Sequence, residues 1–222
     1  EYLHLVQELK PLVFVIENVK SLMSTSNGWF KNQIISEIKK LGYEVSVGIV
    51  RASDYGVPQN RERIIIVGFN KEYLPENYEE FKFPTGHVDD SIRVGDILEM
   101  NVDDRYTISD KLWQGHQIRK KMHRKKGNGF GFSLFNENSK YTSTISARYY
   151  KDGSEALIEQ NGKNPRMLTP RECARLQGFT DDFIIPVSNA QSYKQFGNSV
   201  CIPVIEAVAE AMLEYLGKYN IL

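Results

Sequence analysis

The sequence predicts an α/β chain whose sheet is interrupted by a small inserted module. Three observations carry that expectation. Residues 1–69 alternate helical and strand-like apolar patterns. Residues 86–165 are polar and rich in Gly and Asn, with short β-like runs and no such rhythm. From Leu168 onward the helical patterns return. The expected division is a partial α/β domain over 1–85, a β-rich module over 86–165, and a return to the first domain over 166–222.

In EYLHLVQELKP, apolar residues at 2, 3, 5, 6 and 9 form a helical stripe that Pro11 ends. Leu12 to Ile16 follow as a β-branched and aromatic run, which reads as a parallel strand buried on both faces. Glu17 then arrives at the end of that strand. Open α/β sheets hold ligands at the carboxyl ends of their strands, so this carboxylate is either a paired structural acid or a working one. Phe30, Ile34, Ile35, Ile38 and Leu41 space a second amphipathic helix, with Gly42 at its C-terminal cap. The runs 44–52 and 63–69 are two further strands around the loop SDYGVPQNRE. In LTPRECARLQGF, Thr169 before Pro170, with Glu172 three residues after the threonine, is a helix start, and Gly178 is its stop. A last, well-buried helix is expected from the apolar positions 202, 204, 205, 208, 212, 213 and 216.

A chain of 222 residues accommodates one large domain, or a domain and a smaller one. With 41% hydrophobic and 25% charged residues it has an ordinary globular composition, which excludes a disordered chain. No run approaches eighteen apolar residues and no charged leader precedes an apolar core, so a cytoplasmic protein is expected. Cys173 and Cys201 have neither metal-ligand nor disulfide spacing and read as buried, inert thiols, with no metal implied. The first residue is Glu1 rather than Met, which suggests the remainder of a longer polypeptide.

The formal net charge is zero, so the positive charge is local. Residues 111–126 carry seven Lys/Arg, two His and no acid, and lead into the glycine loop GNGFGF. Such a run is either a solvated face or a phosphate-contacting surface.

Three stretches then act together: ENV at 17–19, YGVPQNRERIIIVGF at 55–69, and RLQGF followed by YKQFGNSV. In this order, with a polar module between the second and third, they resemble the C-terminal half of a bacterial DNA (cytosine-5) methyltransferase of the restriction-modification type. The resemblance implies part of a Rossmann-like methyltransferase sheet with an inserted target-recognition domain. It also implies methyl transfer from S-adenosylmethionine to C5 of a cytosine flipped out of double-stranded DNA.

By the same resemblance, Glu17 binds the N3/N4 edge of the flipped base, Arg63 lies near its O2, and Arg61 reaches the target-strand backbone. Gln59 belongs with them on the DNA side, and Arg51 reads as a structural cation. Asn198, Ser199 and Val200 border the cofactor, at what is otherwise a capped helix start. In the inserted module, Thr144 matches a contact to the target phosphate. Asn128 stands where an amide fills the place of the flipped base. Arg148, Tyr149, Tyr150 and Lys151 are base and phosphate contacts, and Lys120, Lys121, Lys125 and Lys126 are phosphate contacts. The module looks most like those that read CC-containing palindromes of the CCGG, CCWGG or CCNGG type.

Two parts of the family pattern are absent from the sequence. There is no Pro-Cys-Gln triplet to supply the nucleophile, and there is no Gly-rich loop for the methionine end of the cofactor. The chain is therefore expected to be inactive alone and to work with the missing N-terminal part of the enzyme, in the same polypeptide or as a separate subunit, and otherwise as a monomer. The alternative is a relative or subunit that reads DNA without modifying it. A tRNA cytosine methyltransferase of the same superfamily fits the sizeable recognition module poorly.

Overall fold

The computed structural model describes residues 1–221, and side chains for all of these except Ser26 and Phe30. Phe30, placed on a helical stripe from the sequence, thus has a side chain outside the described residues. Helix α1 (Tyr2–Leu9) leads into strand β1 (Val13–Val19), and α2 (Trp29–Lys40) into β2 (Tyr43–Arg51). The short β3 (Gln59–Asn60) precedes β4 (Glu62–Asn70). Then come α3 (Asp110–Lys125), β5 (Leu134–Phe135), β6 (Thr142–Ser143), β7 (Leu157–Ile158) and β8 (Arg166–Met167). Helices α4 (Pro170–Leu176), α5 (Asn189–Asn198) and α6 (Ile202–Lys218) close the chain. Contacts divide it into two compact units: residues 1–51, 62–86 and 204 onward in the first, and residues 52–61 and 87–203 in the second.

The first unit is a three-stranded sheet in the order β1-β4-β2. Both outer strands run antiparallel to β4. This corrects the expectation of a parallel strand buried on both faces at 12–16, because apolar periodicity reports burial but carries no direction. The strand covered on both faces is β4, where Ile64, Ile65, Ile66 and Val67 are all 0% exposed. Full burial of side chains of this size is worth about 1.5–3 kcal/mol each, so the sheet is anchored at its centre.

Residues alternate between the two faces. Ile64 and Ile66 pack with Phe14, Tyr43 and Val45, and with Val6 of α1 and Ile38 of α2. On the other face Phe69 meets Phe81 and Tyr215 of α6, with ring centroids 5.3 and 4.6 Å apart. Gly68 is required where Phe14 crosses the sheet, since a Cβ there would lie 2.3 Å from the ring. The cap at Gly42 is as read from the sequence, with φ +88°. Helix α6 buries a single stripe, Val204, Val208 and Leu216. Leu213, about half a turn around the helix from Val204, is exposed.

The core of the second unit joins Val94, Ile97, Ile145 and Tyr149 to Leu168, Cys173, Leu176, Tyr193 and Phe196. The stretch 166–203, read from the sequence as part of the return, therefore packs with 87–165, and only the chain from Val204 belongs to the first unit. Its aromatic residues explain this: Tyr193 meets Tyr149 edge-on at 5.3 Å. The β-rich character expected for the module is not seen, because β5, β6, β7 and β8 are two residues each. Its longest element is α3, with 16 residues, started by Ser109, whose hydroxyl accepts from the Leu112 N–H. Helix α4 begins at Thr169 with the reciprocal Thr169–Glu172 cap that the sequence signals.

Candidate functional site

Glu17 and Arg63 come together in the first unit. The register pairs Val19 with Arg63 and Glu17 with Ile65. Directly opposed and alternate residues share a face, so Glu17 and Arg63 are diagonal neighbours across two strands. Arg63 Nε lies 2.9 Å from Glu17 Oε1, with the side chains 18% and 26% exposed respectively. Arg63 Nη1 also donates to the Glu62 carbonyl at 2.8 Å. Burial pulls the guanidinium down from its usual value, and the Glu17 carboxylate pushes it back up. Its intrinsic basicity keeps it charged. The sequence placed the two residues on the same base but did not anticipate that they pair.

Glu62 gathers Lys20 at 2.8 Å and Arg51 at 3.2 Å. The Lys20 ammonium, then Arg51, hold its carboxyl below the usual range against partial desolvation. Arg51 is thus engaged as the structural cation expected.

In the second unit, two residues expected on the DNA side point inward. Gln59 is 0% exposed, and its Nε2 donates to the Leu176 carbonyl at 2.8 Å while its Oε1 accepts from the Ile145 N–H at 3.3 Å. Arg61 is 3% exposed. Its Nη1 donates to Ile145 O at 3.2 Å, its Nη2 to Ser199 O at 2.7 Å, and both reach Gly197 O at 3.4 Å. Backbone carbonyls and one backbone N–H thus engage both side chains indoors. Tyr149, expected to contact DNA, is likewise a core residue: its hydroxyl donates to Ala156 O and accepts from the Leu168 N–H, each at 2.7 Å. Burial pushes this phenol well above its ordinary value.

Other expected contacts are at the surface. Arg148, Tyr150 and Lys151 are exposed, with the Lys194 ammonium 4.9 Å from the Tyr150 ring centroid. Thr144 is half-buried, and its hydroxyl donates to Asn60 O at 2.8 Å, next to the parallel pairing of β3 with β6. Asn128 is exposed after Gly127, which has φ +70°, and its Oδ1 lies 2.7 Å from His123 Nδ1. Lys121, Lys125 and Lys126 are exposed on or just beyond α3. Lys120 differs: its Nζ donates to Phe132 O at 3.0 Å and sits 4.1 Å from the Phe132 ring centroid. A cavity of about 560 Å³ along α3 is lined by Gln117, Ile118, Lys121, Arg124 and Phe132 among others. Gln117 and Arg124 were missed from the sequence, although their spacing from Lys121 groups them once 110–125 is read as helical.

The segment GNSV is a helix end rather than a capped start. Gly197 and Asn198 close α5, and the Ser199 hydroxyl donates back to Phe196 O at 2.9 Å. Asn198 and Val200 are exposed and Ser199 half-buried. Cys173 and Cys201 are buried, and burial pushes the Cys173 thiol well up. Among the described residues no cluster of His, Cys, Asp and Glu is arranged to hold a metal, and no helix is long and apolar enough to cross a membrane.

The family model for the C-5 cytosine-specific DNA methylases matches residues 1–214. The chain belongs to that family. Among its cytosine-5 methylase relatives, it is 55% identical over 218 residues to the Type II methyltransferase M1.ScrFI of Lactococcus lactis subsp. cremoris, which covers 98% of this chain and 56% of that protein. It is 58% identical over 212 residues to the Type II methyltransferase M.SsoII of Shigella sonnei, covering 96% and 55%. The chain thus spans just over half the length of these methylase relatives. Among solved structures, a DNMT2 mutant of Spodoptera frugiperda matches with a TM-score of 0.71 at 18% identity, covering 96% of this chain and 71% of that one. At that identity the likeness speaks for the methylase fold alone.

Proposed function

We propose that this chain is the target-recognising part of a DNA (cytosine-5-)-methyltransferase, which transfers a methyl group to C5 of a cytosine flipped out of a short duplex site. The observation that carries the reading is the Glu17–Arg63 pair at 2.9 Å, half-buried toward the end of β1 and the start of β4. Arg63 Nε engages Oε1 of Glu17. Oε2 suits the N3/N4 edge of cytosine. C6 of the base becomes electrophilic only when negative charge developing at N3 is stabilised, and a carboxyl group that shares a proton with N3 does that. Arg63 holds the carboxylate in place and offers a donor toward O2.

The two cysteines of this chain are buried, so in this reading the attacking thiolate comes from polypeptide outside these 222 residues. S-adenosylmethionine would supply the electrophilic methyl group. The exposed Asn198 amide and Val200 side chain fit one wall of such a pocket, with Ser199 between them.

Site readout falls to Asn128, Thr144, Arg148, Tyr150 and Lys151, on a CC-containing palindrome of the CCGG, CCWGG or CCNGG type. Lys121, Lys125 and Lys126 supply phosphate contacts, which position the protein without reading sequence. Gln59, Arg61 and Tyr149 support these groups from within. The test is anisotropy of the purified chain on labelled duplexes that carry each palindrome or a scrambled site. Tighter binding to one palindrome is expected, and equal binding to all would remove the recognition reading.

A further inference from the structure

Three backbone segments of the second unit converge on two buried side chains. Arg61 donates to the carbonyls of Ile145, Gly197 and Ser199. Gln59 ties the Leu176 carbonyl to the Ile145 N–H. The segments at 145–147 and 197 also touch directly: a Cβ on Gly197 would lie 2.3 Å from the carbonyl carbon and oxygen of Ser146 and 2.5 Å from the nitrogen of Ala147. Glycine is needed there because two backbones are in contact. Pairing of Gln59 with Thr142 and of Asn60 with Ser143, and the bond from the Thr144 hydroxyl to Asn60 O, extend the same cluster.

We propose that Arg61 is a positioning residue that fixes the recognition segment Thr144–Arg148 against the turn Gly197–Val200, so that site discrimination depends on a guanidinium that does not touch DNA. The contacts assigned to those two segments rest on the function proposed above. The planar fork of arginine reaches three carbonyls from two directions, whereas the single nitrogen of lysine presents its donors from one point. Arg61→Lys therefore keeps the charge and loses the span. The segment that bears Thr144 and Arg148 then shifts relative to the one that bears Asn198 and Val200. Phosphate contacts from α3 do not pass through this cluster and are unaffected.

Native-state hydrogen exchange of the chain without DNA, followed against denaturant, tests the cluster. The amides of 145–148 and 198–200 are expected to open together in the wild type, with one opening free energy and one denaturant slope. Separate opening would overturn the proposal. In Arg61→Lys both segments should exchange at least about tenfold faster. Discrimination between the preferred and scrambled duplexes should fall at least about tenfold, with the salt dependence of non-specific binding unchanged. Loosening of one segment only, or loosening with undiminished discrimination, would also overturn it. Gly197→Ala, which keeps Arg61 and forces the two backbones apart, should give the same signature, and Arg105→Lys at an exposed site should give none. If the wild type shows no site preference, the functional reading fails, and the exchange data judge the cluster by themselves.

Discussion

Glu172→Gln should be among the most damaging isosteric changes in the second unit. The Glu172 carboxylate is fully buried and accepts four hydrogen bonds: from Arg166 Nη1 at 2.7 Å, Arg166 Nη2 at 2.8 Å, the Thr169 N–H at 2.8 Å and the Glu99 N–H at 2.9 Å. Glutamine retains the shape but turns one acceptor into a donor that faces donors. It also leaves a buried guanidinium without its countercharge. Breaking a buried pair from one side costs about 3–5 kcal/mol, and one orphaned N–H costs about 1–3 kcal/mol. A loss of roughly 4 kcal/mol is therefore expected, a large fraction of the stability of an ordinary domain. The assay is urea unfolding followed by Trp113 fluorescence in a Trp29→Phe background, since Trp113 packs on Phe132 within this unit. Arg166→Met should cost a similar amount, and the double variant about 0.5–3 kcal/mol less than the sum of the two. A Glu172→Gln loss under about 1 kcal/mol, or additive losses in the double variant, would refute the view that this pair holds α4.

Three further outcomes follow from the same geometry. Glu17→Gln in an active enzyme should lower the methylation rate by roughly two orders of magnitude while DNA affinity changes little, and parallel losses of rate and affinity would contradict its role on the base. Replacing Lys121, Lys125 and Lys126 with Ala should flatten the plot of log affinity against log salt by up to about 3 units, measured by anisotropy, and an unchanged slope would leave α3 a solvated face. Glu62 has a depressed folded-state value, so its stabilisation is present above the unfolded value and is lost as pH falls through the folded one. Thermal melts of Glu62→Gln should accordingly show a flatter decline of Tm below about pH 4.5 than the wild type.

Local signals were legible where a few adjacent residues decide the conformation. Thr169, Pro170 and Glu172 announce the start of α4, and Gly42 the end of α2, because caps are read from side chains next to one another. Strand direction was not legible. The apolar runs of β1, β4 and β2 look alike whichever way they point, and only the register reveals β4 between two antiparallel neighbours. Helix α3 was hidden because its basic residues dilute the apolar stripe to Trp113, the buried His116 and the Lys120 stem over Phe132. The types of Gln59, Arg61 and Tyr149 suggest a surface. The inward direction of Gln59 and Arg61 is set by carbonyls far along the chain, at Leu176 and Gly197, and that of Tyr149 by Ala156 O and the Leu168 N–H. The Glu17–Arg63 pair has the same cause, being a cross-strand diagonal that no local spacing encodes.

The most direct test of the proposed methyl transfer is bisulfite sequencing of DNA from cells that express the natural reading frame containing these residues, beside cells that express the same frame with Glu17→Gln. Protected cytosines confined to one CC-containing palindrome, and largely lost in the variant, are the predicted result. Full conversion in both, with the protein present and bound to DNA, would contradict the account and leave a chain that reads DNA without modifying it.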